Sequence, residues 1–100
     1  MDAFRALVES VLEHCKDYIQ RDVKLQALRV TGDSLSETGH VEIVLAEDTW
    51  ENRARAIDHM VEVRSMFIDE ISLSYHFVRP EDWRGGAAAQ ASSAESVYAA

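Results

Sequence analysis

The feature that most constrains the fold is a change of hydrophobic period near residue 69. Between Trp50 and Ile68, apolar side chains recur at three- and four-residue steps: Trp50, Ala54, Ile57, Met60, Val61, Phe67 and Ile68, with Arg64 the charged interruption. Glu51 follows Asp48 at the spacing of a capping box, so Asp48 reads as the N-cap of this helix. From Ile71 the period becomes two. Ile71, Leu73, Tyr75 and Phe77 point one way, and Ser72, Ser74 and His76 the other. Lying between two strands, this helix is expected to be a crossover that makes them parallel, and its apolar stripe needs a sheet to cover.

Upstream, Phe4, Leu7, Val8, Val11, Leu12, Cys15, Tyr18 and Ile19 follow helical spacing, which predicts a first helix from Asp2 to about Gln20. Cys15 lies on the apolar stripe and reads as a small core residue rather than a reactive thiol. As the one cysteine, it excludes an intramolecular disulfide. Val23 to Val30 reads as a strand of imperfect alternation: Val23, Leu25 and Ala27 share a face, while Leu28 and Val30 fall on the other. A bulge or twist near Ala27 reconciles them. His40 to Ala46 gives a second strand, with Val41, Ile43 and Leu45 inward. The intervening Thr31–Gly39 segment reads as a long polar hairpin loop and a candidate contact site. Beyond Pro80 the composition turns to Gly, Ala and Ser, which predicts one domain over 1–80 and a flexible tail over 81–100. Its Val-Tyr-Ala-Ala end resembles small apolar degradation tags.

The element order α-β-β-α-β predicts an α+β, two-layer sandwich with a three-stranded mixed sheet and two helices on one face. With the third strand beside the second, this plan resembles the type II KH and ribosome-binding-factor arrangement. With it beside the first, it resembles a ferredoxin-like fold lacking its first strand. The KH resemblance implies RNA binding through a Gly-x-x-Gly loop between two helices. Nothing between Asp48 and Ile68 is glycine, so that route is not expected here.

Composition narrows the function classes. An apolar fraction of 47% suits a folded domain, and a formal charge of −8 disfavours phosphate backbones and anionic membranes while suiting a basic protein partner. With no leader pattern and no long apolar run, a cytoplasmic setting is expected. No phosphate-binding glycine loop, nucleophile elbow or paired-histidine zinc motif occurs, so neither cofactor nor metal is expected, and the sequence offers nothing positive for enzymatic activity without excluding it. Asp58-His59-x-x-Glu62 offers two ligands without a third. The sequence therefore points first to a protein–protein interaction module, homodimeric, with Val63 and Met66 as surplus apolar interface positions. A second reading is an acidic nucleic-acid mimic or inhibitor using Asp33, Glu37, Glu42, Glu47, Asp48 and Glu51. A third is a small-molecule-binding or catalytic domain on the open sheet face, through His40, Glu42, Val44 and His76.

Overall fold

The structure, a computed structural model, describes residues 2–85 and 94–100. Helix α1 (Ala3–Ile19) starts where the Asp2 carboxylate accepts a hydrogen bond from the Phe4 N–H at 3.0 Å. Its apolar stripe lands where the spacing places it: Val8, Val11, Leu12, Cys15 and Ile19 are buried, with Phe4, Leu7 and Tyr18 packed around them. Burial pushes the free Cys15 thiol up to about 12, so it stays protonated and works as packing.

Strand β1 (Leu25–Asp33) and strand β2 (Thr38–Leu45) form an antiparallel hairpin whose register shifts between Leu25 and Ala27. That bulge is the one the alternation calls for, and it turns Leu25, Leu28 and Val30 together towards the helices. The hairpin connection is shorter than expected. The strands run on to Asp33 and from Thr38, leaving four residues between them, with Glu37 in the left-handed region at φ 55°. At Gly32 the side chains of α1 come close: a Cβ there would lie 2.8 Å from Val8 and 2.9 Å from Phe4.

Helix α2 (Trp50–Met66) is capped by Thr49, whose hydroxyl accepts from the Asn52 N–H at 3.2 Å. Asp48, expected as the cap, instead receives Arg53 in a two-pronged ion pair, at 2.6 and 2.8 Å. The buried face of α2 also differs from the expected one. Ala56, Met60, Val63 and Phe67 enter the core, while Trp50, Ile57, Val61 and Ile68 stay exposed. Val63 is fully buried, so it is not an interface residue; Met66 remains partly exposed. Burying Met60 and Val63 contributes about 1.5–3 kcal/mol each, while small Ala56 lets the helix sit close.

Strand β3 (Ser72–Phe77) runs parallel to β2, as the crossover predicts, and a 3-10 turn (Pro80–Asp82) follows it. The expectation of three strands is corrected by β4 (Ala94–Ala99), which pairs antiparallel with the free edge of β1 and completes the order β3-β2-β1-β4. Ala94–Ala99 is thus sheet rather than flexible tail. Its small residues suit a strand whose Ala94 is buried and whose Tyr98 packs against the core. The part of the expected tail at 86–93 lies outside the described residues. The strand order is that of the first alternative plan, and β4 occupies the place the second would give to β3. Both helices cover one face of this α+β sheet. Among the described residues, no helix is long and apolar enough to cross a membrane.

Candidate interaction surfaces

Two surfaces carry side chains that the core does not explain. The first is the outer flank of α2. Trp50, Ile57, Val61 and Ile68 are 84%, 37%, 53% and 74% exposed. With Ala54 and Arg64 the first three occupy one helical stripe of alternating four- and three-residue steps, and Ile68 continues that spacing in the turn after the helix. Arg53 marks the boundary of this flank: it stacks 5.1 Å over the Phe77 ring while holding Asp48. The Arg53 guanidinium keeps the Asp48 carboxyl below its ordinary range, chiefly through the hydrogen bonds.

The second surface is the sheet face turned away from the helices. The β2–β3 register sets His40 beside Ser74 and Glu42 beside His76, so the expected trio of His40, Glu42 and His76 does share one face. The two imidazoles meet. Their rings lie 4.7 Å apart at 22°, with His40 Nε2 2.5 Å from His76 Nδ1 and His40 Nδ1 2.7 Å from Ser74 Oγ. The Ser74 hydroxyl also donates to the Gly39 carbonyl at 3.4 Å. Burial, then the neighbouring His76 charge, lowers the pKa of His40, against a smaller opposing effect of Glu42.

Val44, expected with this group, is not available. It is fully buried, although the alternation of β2 turns it away from the helices. The chain after β3 crosses that end of the face: the Val78 N–H bonds the Ile43 carbonyl, and Arg84 offers its carbonyl to Arg29 at 2.8 Å. Arg29 is the residue that sequence reasoning misses. It is 6% exposed, stacks 4.7 Å from the Trp83 ring, and faces Glu42 at 3.4 Å and Glu95 at 3.9 Å. One guanidinium therefore ties β1 to β2, to β4 and to the segment after β3. The only sequence signal is a charge placed between the apolar Leu28 and Val30.

The remaining candidates separate. His59 Nε2 contacts Asp22 at 2.5 Å and its Nδ1 faces Glu62 at 3.4 Å, so the two carboxylates flank opposite ring nitrogens and cannot share one ion with it. That arrangement ties α2 to the turn after α1. The carboxylates of the expected acidic run are divided. Asp33 and Glu37 sit at the hairpin end of β2, whereas Glu47, Asp48 and Glu51 sit beyond its other end, roughly 25 Å away for eight extended residues. Glu42 and Asp48 already face arginines.

The architecture defines a small α+β domain with a four-stranded open sheet. Set against protein-family models, curated proteins and solved structures, the chain matches none.

Proposed function

We propose that this domain is an interaction module that pairs with a second copy of itself through the outer flank of α2. The observation that carries the reading is the exposed stripe of Trp50, Ile57 and Val61 on a well-capped helix, extended by exposed Ile68 in the turn just beyond its end. Its spacing reads the same in both directions, which is what an antiparallel, two-fold helix pair requires. Ile57 then meets Val61 of the second copy, Trp50 meets Ile68, and Arg64 meets Ala54 with Asp58 and Glu51 close by. The single cation of the stripe thus finds carboxylates across the axis, which favours a second copy over an unrelated apolar partner. The interface rests on these residues and not on Val63. A free, buried Cys15 suits the cytoplasmic setting expected from the sequence.

Sedimentation over a range of concentrations tests the reading. Wild type is expected to dimerise and V61E to be monomeric with an unchanged circular dichroism spectrum. Each copy carries −8, so added salt should tighten a self-pair by screening repulsion, whereas it would loosen a complex with a basic protein. A wild-type chain that stays monomeric at millimolar concentration in high salt overturns the proposal.

A further inference from the structure

We propose that His40 and His76 form a two-imidazole chelate for a divalent transition-metal ion on the open face of the sheet. The parallel register makes them diagonal neighbours on adjacent strands, and His40 Nε2 and His76 Nδ1 point at one another across 2.5 Å. Two bare lone pairs would repel at that separation, so one proton lies between the two nitrogens, and a metal ion would take its place. Metal–imidazole bonds of about 2.0–2.1 Å place two ligand nitrogens roughly 2.9 Å apart at a right angle and 3.3 Å in a tetrahedron. A rotation of either ring that opens the pair by less than an ångström makes room for an ion.

The surroundings hold His40 in the tautomer that a ligand needs. The Ser74 hydroxyl gives its proton to the Gly39 carbonyl, which leaves Ser74 Oγ to accept from His40 Nδ1–H. His40 Nε2 then carries no hydrogen and accepts from His76 Nδ1–H, the proton that an incoming metal ion displaces. The bond to Ser74 is the outer hydrogen bond by which metal-binding histidines are oriented. Glu42, beside His76 in the register, lies on the same face but is paired with Arg29 at 3.4 Å.

Among the described residues no three His, Cys, Asp or Glu side chains gather as a metal cluster. The chelate accordingly has two protein donors, and water fills the remaining positions on a face where His76 is exposed. Such a donor set selects copper, nickel or zinc over magnesium or calcium, which require oxygen ligands. The other two histidines of the chain are differently engaged, His14 with the Ser10 carbonyl and His59 between Asp22 and Glu62.

Calorimetric titration of the full chain with zinc or nickel chloride, with magnesium chloride in parallel, tests this. One transition ion per chain and no magnesium is the expected result. H40Q and H76Q should each abolish saturable binding, and S74A should weaken it about tenfold, as loss of an orienting hydrogen bond does. H59Q should bind as wild type does. Copper EPR should show splitting from two equivalent-type nitrogens in wild type and from one in H76Q, while amide spectra report whether each variant is folded. Absence of saturable binding to folded wild type, or binding retained by folded H40Q and H76Q, overturns the proposal.

Discussion

Replacing Arg29 with alanine should destabilise the domain far more than removal of a surface charge would. The hydrogen bond to the Arg84 carbonyl, at 2.8 Å from a charged donor, is worth about 1.5–3 kcal/mol. Loss of the Trp83 stack adds about 0.5–1 kcal/mol. The pairs with Glu42 and Glu95 are long, and each carboxylate side chain is 24% exposed, so water screens them and together they add no more than about 1 kcal/mol. The sum is about 3 kcal/mol, which for a domain of this size lowers the melting temperature by roughly 12–24 °C. Thermal and urea denaturation followed by circular dichroism measures it. R29K, which keeps the charge but loses the planar stack and fork, should fall between. An R29A protein within about 0.5 kcal/mol of wild type would refute the view that this guanidinium fastens the sheet.

Two further predictions follow from close contacts elsewhere. G32V drives a branched side chain into Val8 and Phe4 and should cost about 1–3 kcal/mol, read as a lower urea midpoint; an unchanged midpoint would mean that α1 can move away. Because the folded carboxyl of Asp48 is held below its ordinary value by Arg53, its contribution is present above its unfolded pKa and fades as pH falls through the folded one. D48N should therefore be less stable than wild type at neutral pH, by about 0.5–1 kcal/mol, and the difference should shrink in strong acid. A constant difference across that range would count against the ion pair.

The elements legible in the sequence were those whose apolar period is closed by local neighbours. The α1 stripe, the alternation of β2 and β3 and the bulge near Ala27 are each written in side chains that meet the same core. The α2 face was legible in period but not in phase. Trp50, Ile57, Val61 and Ile68 outweigh Ala56, Met60 and Val63 in hydrophobicity, yet the latter set faces the sheet. Strand β4 escaped because Ala94 and Ser96 have little strand propensity, and their order comes from pairing with β1. At the open face, the alternation put His40 and His76 on one side, but their meeting depended on strand order. Arg29 was hidden because its burial comes from Trp83 and Arg84, more than fifty residues downstream.

The position of β4 has a kinetic consequence. The hairpin closes between Asp33 and Thr38, five residues apart, whereas β4 meets β1 between Gly32 and Ala94, 62 residues apart. The entropy of closing the longer loop exceeds that of the hairpin by about 2 kcal/mol. On loop entropy alone, the β1–β2 hairpin is therefore expected to form before β4 docks on β1. Until then β1 presents an open edge. The backbone amides shared by β1 and β4 are accordingly expected to exchange with solvent sooner than those of the β1–β2 hairpin.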